Sequence, residues 1–169
     1  MSDSSPRRPY RVTFVCTGNI CRSPMAEHVL RRHVEDEGLP ALVDSSGTGG
    51  WHAGDPADHR TVRTLRRHGF TSDHTARKFH RGWFDDYDLV IALDAGHLRE
   101  LAALARDDRD RAKIRLLRSF DPAAMAGDLD VPDPYYEDDE AFEHVMELIE
   151  RAAPGILEEI RRGLKEPAA

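Results

Sequence analysis

The run "VTFVCTGNICRSP", Val12 to Pro24, carries an apolar, strand-like stretch through a tight polar turn into a Ser-Pro pair. Ser at an N-cap with Pro at the first helical position is a preferred way to begin a helix, so a helix is expected to open at Ser23. Gly18 and Asn19 stand in the turn where the backbone needs left-handed dihedrals. A strand that feeds a helix through so short a turn is the first unit of an alternating α/β chain.

The pattern continues outward from that unit. The strand is read as Arg11 to Cys16. Ala26, Val29, Leu30 and Val34 recur at helical spacing, which predicts a helix to about Glu37 that stops at Gly38 with Pro40 behind it. A short strand follows at Leu42 to Ser45, then a glycine-rich loop, then a helix over Asp58 to His68 that turns Val62 and Leu65 inward and ends at Gly69. "DLVIALD", Asp88 to Asp94, is the clearest buried strand, and "GHLRELAALA" after it has helical period. "KIRLLRSF" supplies a fourth strand, and a final helix is expected from Asp139 to Arg162 with Pro154 kinking it. Strands alternating with helices imply right-handed crossovers. The expected fold is one α/β domain over residues 10–163, a four-stranded parallel sheet, doubly wound and flavodoxin-like, with helices on both faces. Residues 1–9 read as a loose arm and 164–169 as a tail.

Composition narrows the function classes. The chain has 169 residues, 40% of them apolar and 33% charged, as expected of a globular domain. No stretch approaches the roughly 18 apolar residues of a membrane helix, and no apolar signal core follows the N-terminus. The cytoplasm is the expected compartment, with export lacking a signal peptide left open. The net charge of −7, without a long basic stripe, speaks against nucleic acid as a partner, although 21 of the 24 basic residues are arginine. Two cysteines are too few for a disulfide framework and point to thiol chemistry. The nine histidines show no paired metal spacing, so neither metal nor cofactor is expected.

In such sheets ligands sit beyond the carboxyl ends of the strands, where the opening motif lies. A loop that wraps onto a helix N-terminus turns free amides inward, and the helix dipole adds positive potential at the same place. Thr17, Gly18, Asn19, Ile20, Cys21 and Ser23 would form that anion cradle. Arg22 can fork two phosphate oxygens, and Cys16 at the base of the field is biased toward a thiolate poised for in-line attack on phosphorus. Breaking a phosphate ester also needs a proton donor, and "VPDPYYEDDE" offers Asp133, held extended before Pro134 on a long loop. Tyr135, Tyr136 and Trp51 are flat candidates for the walls of a cleft, or else packing residues. Asp94, at the end of the buried strand, is placed to fix the acid loop or the arginines.

Together, "VTFVCTGNICRSPMAE", "DSSGTGGWH", "DHTAR", "VIALD" and "DPYY" resemble the low-molecular-weight protein tyrosine phosphatases, in order and in approximate spacing, over nearly the whole chain after Arg11. The resemblance implies a metal-independent phosphotyrosine phosphatase that works through a cysteinyl-phosphate. It makes Cys16 the nucleophile, Arg22 the phosphate clamp and Ser23 a hydroxyl that helps the thiolate leave. Asp133 becomes general acid and then general base, and Asn19 shapes the loop. His74 and Ser45 support that loop by hydrogen bonds. Cys21 either packs or guards Cys16 through a reversible disulfide. The implied partners are phosphotyrosine proteins, with phosphate or vanadate-like oxyanions as inhibitors and a monomeric or weakly self-associating state.

Three other readings compete. A thiol-dependent arsenate reductase begins with a similar loop but needs relay cysteines, and none follows Cys21. A protein arginine phosphatase typically has threonine where Ile20 stands. A catalytically dead phosphotyrosine-binding module would have lost Cys16, Arg22 or Asp133, and all three are present.

Overall fold

The computed structural model of the chain describes residues 8–166, so residues 1–7 of the expected arm and 167–169 of the expected tail lie outside it. Its sheet is built from β1 (Tyr10–Cys16), β2 (Ala41–Gly47), β3 (Leu89–Ala92) and β4 (Ile114–Leu116), all parallel, in the order β2-β1-β3-β4. β1 is paired on both sides, Tyr10 to Cys16 with β2 and Val12 to Val15 with β3. Being covered on both faces, it needs apolar residues at successive positions and not only at alternate ones. Val12 and Phe14 join one core cluster and Val15 the other, all three fully buried.

The helices are α1 (Arg22–Asp36), α2 (His59–Arg67), α3 (Ala95–Leu104), α4 (Asp108–Ala112) and α5 (Asp139–Lys165). α1, α2 and α5 cover the face that carries Val12, Phe14, Leu89 and Ile91. Leu101 of α3, with Phe79 and with Phe84 of the 3-10 turn Arg81–Asp85, covers Val15, Val90 and Ala92 on the other. From β1 the chain first winds toward β2 and then returns to β3 on the opposite side. The crevice between the carboxyl ends of β1 and β3 is therefore the topological switch point, where open parallel sheets bind ligands.

Local chemistry sets the helix ends. At the end of α1, Gly38 N–H bonds Glu35 O and Leu39 N–H bonds Val34 O, a Schellman closure repeated at Gly69 and Phe70 after α2. α5 buries Phe142, Val145, Met146, Ile149, Ile156 and Ile160 along one stripe and runs on to Lys165 beyond the expected Arg162. It stays helical through Pro154, and at Gly155 its backbone rests on Phe120, leaving a Cβ there only 2.2 Å from Phe120 O.

One expectation is corrected at α1. The helix starts at Arg22, its N-cap position is Cys21, and no side chain caps it. Ser23 lies within the first turn because its hydroxyl is committed elsewhere, to Cys16 and Asn19.

Candidate active site

The loop from Cys16 to Arg22 is held from outside by its carbonyls. Cys16 O and Thr17 O accept from Thr48 N and Gly49 N at 2.8 and 2.9 Å, Ile20 O from Asp58 N at 2.9 Å, and Asn19 O from His74 Nε2 at 2.6 Å. With the carbonyls turned outward, the amides of Thr17 to Cys21 are left without a backbone acceptor among the described residues. They form a ring of donors at the N-terminus of α1, the arrangement that binds an anion. Gly47 makes the close approach possible, since a Cβ there would sit 2.6 Å from Thr17 O.

Asn19 is the one non-glycine among the described residues with a positive φ, 58°, which asparagine tolerates better than most side chains. Its side chain is fully buried behind the loop and fixes the proton order of a network. Asn19 Oδ1 accepts from Arg77 N at 3.0 Å, so its Nδ2 must be the donor to Ser23 Oγ at 2.8 Å and to Ser45 Oγ at 2.9 Å. Ser45 passes its own proton to Glu27 Oε1 at 2.8 Å. Ser23, already accepting from Asn19, has one proton to give, and Cys16 Sγ at 2.9 Å is nearer to it than the other acceptor in reach, Ser46 O at 3.4 Å. The chain therefore ends in a hydroxyl 2.9 Å from the sulfur, placed to stabilise negative charge that develops there.

His74 is kept mostly neutral. Burial pushes its pKa down, and the bond to Asn19 O opposes this only in part. Cys21 is buried as well, and burial, with Asp58 and Cys16 nearby, pushes its thiol up to about 12. Both cysteines are free thiols.

Arg22 is only 3% exposed and its guanidinium is fixed on one edge. Nη1 donates to Asp94 Oδ2 at 2.8 Å and to Val131 O at 2.9 Å, and Nη2 reaches His97 Nε2 at 3.4 Å, which leaves Nε and the second Nη2 proton on the open edge for a ligand. Asp94 caps α3 by accepting from His97 N at 3.0 Å. Burial pushes the Asp94 carboxyl up, but the bonds from His97 N and Arg22 outweigh it and hold the group below its ordinary range.

Asp133 stands at the rim with its side chain half exposed, Oδ2 3.8 Å from Arg22 Nη2 and Oδ1 accepting from Tyr135 N at 3.1 Å. Its loop is pinned just upstream. Val131 N bonds Leu93 O at 2.9 Å, Asp130 Oδ1 accepts from Ala95 N at 2.8 Å, and Arg118 Nη1 donates to Asp130 O at 3.1 Å.

The result is a cleft of about 200 Å³ with Cys16, Thr17, Gly18, Ile20, Cys21 and Arg22 on its floor and Trp51, His52, Asp133, Tyr135 and Tyr136 around it. Tyr135 and Tyr136 meet edge to face, centroids 4.9 Å apart. Trp51 and Tyr136 are 79% and 89% exposed, so these two are not packing residues, whereas Tyr135 is more covered, with Arg60 5.5 Å from its ring centre. Thus the twelve residues expected to carry chemistry or to contact substrate gather at one place. Of these, Asn19 and Ser23 lie behind the floor. Ser45, His74 and Asp94 lie one contact further out.

Sequence reasoning passed over His52, His97, Glu27, Arg77 and Arg118. His97 has a readable signal, a histidine three residues after a strand-ending aspartate that caps a helix. Glu27 and Arg118 look like surface charges in a sequence and are 5% and 9% exposed in the fold. No group of three or more His, Cys, Asp or Glu side chains suited to a metal ion occurs among the described residues.

A family model described as low molecular weight phosphotyrosine protein phosphatase matches residues 11–166. A Streptomyces coelicolor protein named low molecular weight protein-tyrosine-phosphatase is 59% identical over 162 residues, covering 95% of this chain and 99% of its own. Low molecular weight protein-tyrosine phosphatase A of Mycobacterium tuberculosis is 47% identical over 150 residues, covering 88% and 90%. Among solved structures, YfkJ from Bacillus subtilis superimposes with a TM-score of 0.86 at 36% identity, covering 96% of this chain and all of that one.

Proposed function

The chain belongs to the low molecular weight phosphotyrosine protein phosphatase family, and from that premise we propose that it hydrolyses phosphotyrosine in proteins through a covalent phosphocysteine on Cys16, with no metal ion. The observation that carries the reading is the sulfur of Cys16 at the bottom of the amide ring, 2.9 Å from the Ser23 hydroxyl and beneath a guanidinium with one open edge.

The phosphoryl oxygens take the loop amides and the Nη2 edge of Arg22, so positive charge is supplied by fixed dipoles and one cation. The Cys16 thiolate attacks phosphorus in line with the ester oxygen. As the S–P bond forms the P–O bond breaks, and the Asp133 carboxyl gives its proton to the departing phenolate. Asp133, now a carboxylate, removes a proton from water, whose oxygen attacks phosphorus and expels the thiolate toward the Ser23 hydroxyl. Inorganic phosphate leaves, and it is expected to inhibit by rebinding the same ring. Vanadate is expected to bind more tightly, since it adopts the five-coordinate geometry of the transition state.

Depth selects the substrate. Cys16 is 3% exposed below aromatic walls, so an aryl ester spans the distance from rim to sulfur while a serine ester is too short. Parallel assays with phosphotyrosine, phosphoserine and phosphoarginine peptides test this. Phosphotyrosine should be turned over at least tenfold faster than either, unaffected by chelators, and Cys16→Ser should be inert. Turnover by Cys16→Ser, or a rate that collapses on chelation, would overturn the proposal.

A further inference from the structure

His97 takes no part in the steps above, yet it is 2% exposed against the phosphate loop. Its Nε2 lies 2.8 Å from Thr17 Oγ1 and 3.4 Å from Arg22 Nη2. Its Nδ1 lies 3.1 Å from Asp94 Oδ1 but is not aligned for a formed hydrogen bond, so that contact is electrostatic. A guanidinium has donors only, so Nε2 must be the acceptor. The ring proton of the neutral imidazole therefore sits on Nδ1, facing the carboxylate, and the Thr17 hydroxyl also donates to Nε2. One ring atom thus joins the first residue after the nucleophile to the last residue of the loop.

We propose that His97 is a positioning residue which, as the neutral Nδ1–H tautomer, clasps Thr17 and Arg22 and so holds the amide ring and the open guanidinium edge in register for phosphate. Four charged groups act on the ring: Arg22 from α1, Asp94 and Glu100 from its own helix and cap, and Asp133 from the acid loop. Burial and then Arg22 lower its pKa against the opposing pull of these carboxylates, which supports a neutral ring. The proposal rests on the reading of this loop as the phosphate site, and the two fail separately.

The test combines substitution with spectroscopy on the intact protein. In His97→Gln the amide oxygen can still accept from Thr17 and Arg22, and His97→Leu has no acceptor. Inorganic phosphate should inhibit hydrolysis of p-nitrophenyl phosphate by the Leu variant about tenfold more weakly than wild type, the scale of one hydrogen bond to a charged donor. KM should rise more than kcat falls. The Gln variant should recover most of the loss, and Thr17→Val should add little to His97→Leu. Independently of folding in any variant, 15N spectra of the wild-type imidazole at neutral pH should show the proton on Nδ1. A proton on Nε2, equal phosphate inhibition in the Leu variant and wild type, or a Gln variant as impaired as Leu would overturn the clasp. Failure of wild type itself to bind phosphate would instead overturn the phosphatase reading.

Discussion

At the scale of single residues, the account makes Asp133 and Ser23 separable. Asp133→Ala should slow esters of poor leaving groups by about 10²- to 10⁴-fold and esters of good ones far less. Measuring kcat/KM across a series of aryl phosphates checks this, and equal losses along the series would remove Asp133 from the acid role. Ser23→Ala deletes the donor to the Cys16 sulfur, and should slow breakdown of the phosphoenzyme by about tenfold, the scale of one charge-assisted hydrogen bond. Rapid-quench kinetics would show it as a larger burst. Cys16, Arg22 and Asp133, the proposed catalytic groups, were legible because each sits in a short local pattern: a cysteine, glycine and arginine between strand and helix, or an aspartate before proline. His97, Glu27 and Arg118 were not, since what defines them is burial against partners 12 to 80 positions away.

At the scale of elements, two glycines mark where backbones touch. Gly47→Ala would place a Cβ 2.6 Å from Thr17 O, pushing β2 and the phosphate loop apart. Activity should fall with little change in far-UV circular dichroism. Gly155→Ala opposes two effects inside α5: alanine gains up to about 1 kcal/mol in helix propensity, and overpacking costs about 1–3 kcal/mol. Because the atom met is a backbone oxygen, 2.2 Å from the new Cβ, the cost should win and the urea midpoint should fall. An unchanged or higher midpoint would contradict that packing. β1 and β3 were readable as apolar runs, α1 and α5 from their helical period, and α1 and α2 also from the glycines that stop them. The five residues of α4 and the 3-10 turns Arg81–Asp85 and Leu117–Phe120 are too short to show a period, and the start of α1 was misplaced because Ser23 serves the sulfur and not the helix.

At the scale of the whole molecule, stability and site share the same buried histidines. His74 and His97 both titrate below their ordinary 6.5 in the folded protein, chiefly through burial. The unfolded chain binds protons first as pH falls, so the stability these groups contribute is complete above about pH 6.5 and is lost as pH drops through their folded values. Tm should be flat between about pH 7 and 8, below the ordinary thiol range, and decline on acidification. A further fall should follow in stronger acid as Asp94 protonates, and Asp110, held at about 2 by its bonds to Arg106. A Tm that rises between about pH 6.5 and 5 would contradict this assignment. The proposed chemistry is one event at the carboxyl end of β1, and quenching the enzyme in alkaline denaturant within one turnover of a radiolabelled phosphotyrosine peptide observes that event directly. The account predicts acid-labile label on Cys16, absent from Cys16→Ser; label on another residue, or full turnover with no labelled protein at any time, would contradict it.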